Sequence, residues 1–125
     1  MQNPVGHFPR QVQIDAYGNG GFRFADMSHR GSILVLSSGV YAWGAQDPQG
    51  ITAASLGRLF NDPVKPELLL IGTGRQLVPV STALRRALGE RGVRLDVMDT
   101  GAAARTYNIL FGEKRSVGAA LIAVD

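Results

Sequence analysis

Between residues 11 and 17 polar and apolar positions alternate, with Val12 and Ile14 on one face and Gln13 and Asp15 on the other. That is the period of a half-buried strand. Gly18, Asn19, Gly20 and Gly21 follow as positions tolerant of positive φ, and Phe22 and Phe24 resume the alternation on either side of Arg23, which predicts a hairpin. Ile33, Leu34, Val35 and Leu36 run without a polar break, as in a strand covered on both faces, so a mid-sheet position is expected. Residues 40–43 extend it with aromatic side chains, and residues 46–50 read as a turn through Asp47 and Pro48. Thr52 is placed to cap a short helix with Ala53, Leu56, Leu59 and Phe60 on its apolar side, ended by Asn61, Asp62 and Pro63.

The second half is more regular. Leu68, Leu69, Leu70 and Ile71 form a strand-like run that ends in Gly72, Thr73 and Gly74; Pro79 and Ser81 then introduce a helix whose buried stripe is Ala83, Leu84, Ala87 and Leu88. Gly92 stands where that helix needs a left-handed residue, and Val93, Leu95 and Val97 alternate with Arg94, Asp96 and Met98 in a following strand. Strand, helix and strand within thirty residues make a βαβ unit with parallel strands and a right-handed crossover. The loops at residues 72–75 and 99–101 therefore emerge on the same edge of the sheet. Thr100 is placed to cap a third helix carrying Ala103, Thr106, Tyr107 and Leu110 on one face, with Arg105 and Asn108 off it and Gly112 closing it. Residues 117–124 are small and apolar; a buried strand fits best, with a core helix left open by periodicity alone. Within that run, Gly118 and Ala119 would let an edge approach another subunit, which leaves a homo-oligomer open.

The predicted architecture is a single α/β domain over residues 1–125, a mixed sheet with a parallel βαβ core flanked by helices and an N-terminal β-hairpin. Residues 1–10, broken by Pro4, Gly6 and Pro9, read as an arm against the body. Residues 11–67 hold the hairpin, further strands and the first helix, and residues 68–125 the βαβαβ core. A length of 125 residues, with 45% hydrophobic against 18% charged, suits one domain with one core. Cysteine is absent, which excludes a disulfide framework, a thiolate nucleophile and zinc sites built on sulfur. The longest apolar run is far below the roughly 20 residues that span a bilayer, and the first thirty residues hold no apolar block, so no transmembrane segment and a cytoplasmic location are expected.

Charge adds one detail. Residues 1–71 carry five basic and five acidic side chains, and residues 72–125 carry eight and five, so the whole net charge of +3 sits in the second half. Eleven of the basic groups are arginines, suited to bidentate contact with carboxylate or phosphate. Arg85, Arg86, Arg91 and Arg94 stand singly around apolar positions without stacking aromatics between them, so nucleic acid is not an expected partner.

Two groups of residues carry candidate chemistry. Gly72, Thr73, Gly74 and Arg75 read first as a tight turn and second as an anion or ligand loop; the dinucleotide fingerprint fails because Gln76 to Pro79 intervene before the helix. Asp99, Thr100, Arg105, Thr106, Tyr107 and Asn108 read first as a capping and bracing network, in which Arg105 pairs with Asp99 or Glu113 and Asn108 bonds a neighbouring loop. As a reacting site the same group would offer Tyr107 or Asp99 as acid or base and Arg105 as an anion clamp. His7 and His29 lack metal-ligand spacing, no nucleophile elbow occurs, and no metal or cofactor is expected. Tyr41 and Trp43 beside a glycine-rich turn offer an aromatic patch for a protein partner.

The strings LLLIGTG (residues 68–74), VMDT (97–100) and AARTYN (103–108), with Leu110, Glu113, Arg115, Val117 and residues 120–122, resemble a small α/β family of unknown function. IDAYGNGGFRF (14–24), GSILVL (31–36) and Trp43 fit the same order. This is the family that includes the mitochondrial complex I assembly factor 3 and the adipogenesis-associated domain protein. Its signature positions fall here on Gly72, Thr73, Gly74, Pro79, Asp99, Thr100, Ala103, Arg105, Thr106, Tyr107, Asn108, Glu113 and Arg115, and the resemblance implies a catalytic role for none of them. It implies a compact mixed-sheet domain and, for the mitochondrial members, a role in protein assembly. The absence of an arginine-rich leader fits a bacterial cytoplasmic relative. The expected function is a non-enzymatic interaction protein for a respiratory or membrane-associated complex. The alternative is an anionic-ligand site, with or without catalysis, between the loops at residues 72–75 and 99–105.

Overall fold

A computed structural model describes residues 8–125 of the chain. Three short strands, β1 (Ala16–Gly18), β2 (Gly21–Phe24) and β3 (Met27–Arg30), pair antiparallel in that order. Asn19 and Gly20, at φ 53° and 81°, turn β1 into β2 as a two-residue hairpin loop requires. The predicted hairpin is present, but ladder pairing begins only at Ala16. The sequence pattern does not predict β3: Ala25 and Asp26 make the second turn at φ 49° and 61°, and although Asp tolerates left-handed backbone, Ala before it does not advertise a two-residue turn. Of the predicted arm, residues 1–7 lie outside the described residues; Phe8 exchanges both backbone hydrogen bonds with Val40, at 2.8 and 2.9 Å.

Five further strands, β4 (Ile33–Leu36), β5 (Gly39–Ala42), β6 (Leu68–Gly72), β7 (Arg94–Met98) and β8 (Val117–Leu121), form a second sheet in the order β5-β4-β8-β6-β7. β6 runs parallel to β7 and β8, while β4 runs antiparallel to β5 and β8, so the sheet is mixed as expected. All four residues of β4 and all five of β8 are buried, which explains why neither run alternates. The position of β8 corrects the subunit-edge reading of Gly118 and Ala119, because β8 is the central strand. A Cβ on Gly118 would lie 2.8 Å from the Val35 carbonyl oxygen, so the missing side chain serves strand approach inside the sheet.

Three helices cover the sheet: α1 (Gly57–Asn61), α2 (Thr82–Gly89) and α3 (Thr100–Gly112). The helix expected from Thr52 is divided, a 3-10 turn (Ala54–Leu56) preceding α1, with Leu56 and Leu59 buried and Ala53 exposed. Ser81 caps α2 by accepting from the Leu84 amide at 3.1 Å; Leu84 and Leu88 are buried, Ala87 is half-buried and Ala83 is exposed, which narrows the expected stripe. α2 closes around Gly92 at φ 78°, with bonds from Gly92 N to Gly89 O and from Val93 N to Leu88 O. α3 closes by the same pair of bonds, but Lys114 at φ 63°, not Gly112, is its left-handed residue.

The right-handed crossovers β6-α2-β7 and β7-α3-β8 step to opposite sides of β6, so α2 and α3 fall on opposite faces of the sheet. One core layer joins Leu34, Leu69 and Ile71 to α1 and α2; the other joins Val35, Leu70 and Leu121 to α3 and to the buried face of β1–β3 through Phe22 and Phe24. Gly72 sits where α3 meets the end of β6, and a Cβ there would lie 2.8 Å from Thr100 Cα and 3.0 Å from Leu121 Cδ2. Gly72→Ala is expected to cost about 1–3 kcal/mol in urea unfolding, since backbone must move to admit the methyl group. Gly89→Ala, at a helical position with nothing within 4 Å, is expected to be neutral or slightly stabilising in the same measurement.

Candidate functional site

At the C-terminal edge of the parallel strands the two loops singled out from the sequence do converge, and they are sewn together. Thr73 N donates to Met98 O at 2.9 Å, Thr100 N to Gly74 O at 2.8 Å, and Ile122 N to Gly72 O at 2.9 Å. The Thr100 hydroxyl accepts from Gly74 N at 2.9 Å and donates to Ile122 O at 2.7 Å. Thr100 is fully buried, so both bonds are made away from water. Asp99, not Thr100, is the cap of α3: its carboxylate accepts from Ala102 N at 2.9 Å. Thr73 folds the next loop over itself, donating its hydroxyl to Gln76 O at 2.6 Å and accepting from Val78 N at 3.0 Å, which presents Leu77 to solvent at 61% exposure. Arg75 is exposed beside it.

The remaining predicted residues lie along α3 and brace the N-terminal third of the described chain. The Asn108 side chain accepts from Ile14 N at 2.8 Å and donates to Ile14 O at 2.7 Å, replacing a strand partner where β1 has not yet begun. The Tyr107 hydroxyl donates to Val12 O at 2.7 Å, and its ring stacks on Phe111 with centroids 5.7 Å apart. Gln11 reaches across to Val117 O at 2.7 Å. Arg105 donates from Nη1 to the Tyr17 hydroxyl at 3.1 Å, a partner other than the Asp99 or Glu113 expected from spacing. Tyr17 lies against the first turn of α3, where a Cβ on Gly101 would stand 2.5 Å from its oxygen.

Chemically, this arrangement braces. Burial pushes the Tyr107 phenol well above its ordinary value, with a smaller opposing contribution from the Gln11 side chain, so the phenol stays protonated as a donor through the neutral range. Among the described residues no group of three or more His, Cys, Asp or Glu is arranged to hold a metal ion. The sequence reading missed Tyr17, Gln11 and the outer face of β1–β3. That face forms an open hollow of about 410 Å³ lined in part by Arg23, Ser28 and Arg30. The alternation of residues 22–24 already puts Arg23 on it; Arg30 was beyond reach without β3.

Fold and site together define a small α/β domain whose buried polar side chains fasten its own loops. The chain belongs to the family described as a protein of unknown function (DUF498/DUF598), whose model matches residues 14–122. It is similar to a crystal structure of an outer membrane protein from Bartonella henselae, with a TM-score of 0.90 and 49% identity over 95% of this chain and 100% of that one. An uncharacterized protein of Rhodobacter capsulatus is 36% identical over 92% of this chain and 87% of its own length. The mouse NADH dehydrogenase (ubiquinone) 1 alpha subcomplex assembly factor 3 is 32% identical over 92% of this chain and 62% of its own length. The chain thus spans about six tenths of that mammalian relative. Among the described residues no helix is long and apolar enough to cross a membrane.

A phenol whose ionisation is disfavoured in the folded state supports stability below the ordinary tyrosine value of 10.0 and loses that support as pH rises past it, because the unfolded chain then releases the proton first. Tyr107→Phe is therefore expected to cost about 1 kcal/mol at neutral pH, through the lost bond to Val12, and to flatten the fall in stability above pH 10.0. Urea unfolding of both proteins across that range checks it.

Proposed function

We propose that this chain is a non-enzymatic interaction protein that assists assembly of a respiratory or membrane-associated complex, with the cytoplasm as its compartment. The observation that carries this reading is the match along 92% of the chain to a protein named for assembly of NADH dehydrogenase. The geometry agrees with it. The side chains that spacing offers as acid, base or anion clamp each have an internal partner: Tyr107 donates to Val12 O, Asp99 accepts from Ala102 N, and Arg105 donates to the Tyr17 hydroxyl. Leu77 and Ile109, at 61% and 60% exposure, remain outward as apolar contacts of the kind a protein partner covers.

The anion reading of residues 72–75 and 99–105 has less support. The Gly74 amide that would face a phosphate already meets the Thr100 hydroxyl, and the first-turn amide of Ala102 meets Asp99. In the organism of origin, deletion of the gene is expected to lower the amount of fully assembled NADH dehydrogenase on native gels, with restoration by the wild-type chain. Unchanged respiratory complexes in the deletion strain would reject the reading, and cell fractionation checks the compartment.

A further inference from the structure

The register of β1–β3 sorts its side chains into two faces. Phe22 and Phe24 point into the core, and the opposite face carries two rows: Ala16, Arg23 and Ser28 stand abreast, and Gly18, Gly21 and Arg30 stand abreast beside them. Arg23 and Arg30 are exposed and diagonal to one another, and among the described residues neither guanidinium has a hydrogen-bond or ion-pair partner. No carboxylate lines the hollow between them, and nearby Asp15 accepts from Gln13. Two like charges at diagonal positions, neither held in an ion pair, make a local excess of positive charge that a ligand of opposite charge neutralises.

Three features select the ligand. The arginine fork favours carboxylate or phosphate held by two parallel bonds. The hollow, about 410 Å³ and open to water, exceeds what one small ion fills, and a lone ion there would be screened. Gly18 lines it without a side chain and with nothing within 4 Å of where one would stand, which leaves room for an extended backbone at close range. Side chains two residues apart on an extended strand share a face and lie about 7 Å apart, close to the roughly 7–8 Å between diagonal positions on paired strands. Two carboxylates in one segment then engage both arginines, the second at high effective concentration.

We propose that the outer face of β1–β3 docks an extended acidic segment of a protein partner, with carboxylates at alternate residues received by Arg23 and Arg30 beside the space left by Gly18. This rests on the interaction-protein reading and names the chemistry of its partner.

The test is a titration of the full-length, nitrogen-15-labelled chain, followed through its amide spectrum. The probes are a capped heptapeptide of alternating glycine and glutamate, its glutamine counterpart, and inorganic phosphate. The glutamate peptide is expected to shift the amides of Gly18, Gly21, Arg23, Ser28 and Arg30, with affinity falling several-fold as salt is raised and little response to the glutamine peptide. R23Q/R30Q is expected to abolish the response. So is A16E, which keeps both arginines but sets a carboxylate directly across from Arg23; the amide spectrum of each variant reports that it is folded. No shift at millimolar glutamate peptide, binding that survives R23Q/R30Q, or equal shifts from phosphate alone would overturn the proposal. In the deletion strain, normal assembly restored by R23Q/R30Q overturns the docking face while the broader reading stands. Normal assembly in the uncomplemented strain rejects the broader reading, and the peptide titration then decides the docking face on its own.

Discussion

One buried hydroxyl ties the C-terminal edge of this domain together. Thr100 sits at the first position of α3, fully enclosed, and its oxygen joins Gly74 on one side to Ile122 on the other. Three segments distant in sequence, the ends of β6 and β8 and the start of α3, are thereby held in one cross-section. A buried amide and a buried carbonyl are each costly without a partner, so the hydroxyl serves two groups at once. Gly72 follows from the same constraint, because α3 can sit down on β6 only where the strand has no side chain. An open α/β sheet commonly binds its ligand in the crevice where its crossovers diverge; here the loops that border that crevice are hydrogen-bonded to one another.

α3 does a second job along its length. From Arg105 to Asn108 it presents side chains that take the place of a neighbouring strand for residues 12–17: a phenol on Val12, an amide on both groups of Ile14, a guanidinium on the Tyr17 hydroxyl. These contacts span more than eighty residues of sequence and set the three-stranded sheet against the larger one. The tip of the β1–β2 hairpin is fastened in turn by Gly20 N to Val124 O at 2.8 Å. With the polar groups of the switch point and of α3 turned to internal use, Leu77, Ile109 and the two unpaired arginines of β1–β3 stand outward on the surface.

Much of this was legible in the sequence wherever one physical requirement dominated. The uninterrupted apolar runs announced the strands β4 and β6 and favoured β8 over the core helix that periodicity left open, Gly92 announced the end of α2, and the right-handed crossover rule placed the loops at residues 72–75 and 99–101 on one edge. What failed to show was whatever depended on tertiary partners. β3 was hidden because Ala25 and Asp26 adopt left-handed backbone without glycine or asparagine, and Lys114 does the same at the end of α3. Thr100 and Asp99 both suit an N-cap, and only the depth of the first turn of α3 beneath Ile122 decides that the acid caps while the hydroxyl is drawn inward. The Tyr17 partner of Arg105 lies 88 positions away, where charge spacing along a helix has nothing to say.

Replacement of the Thr100 hydroxyl by a methyl group of the same shape reads this account most directly. Thr100→Val leaves Gly74 N and Ile122 O buried and unpaired, so urea unfolding should show a loss of about 2 kcal/mol or more, with faster amide exchange at Gly74, while Thr100→Ser keeps most of the stability. A Thr100→Val protein as stable as the wild type, with Gly74 still protected, would contradict the view that this residue holds the edge of the domain closed.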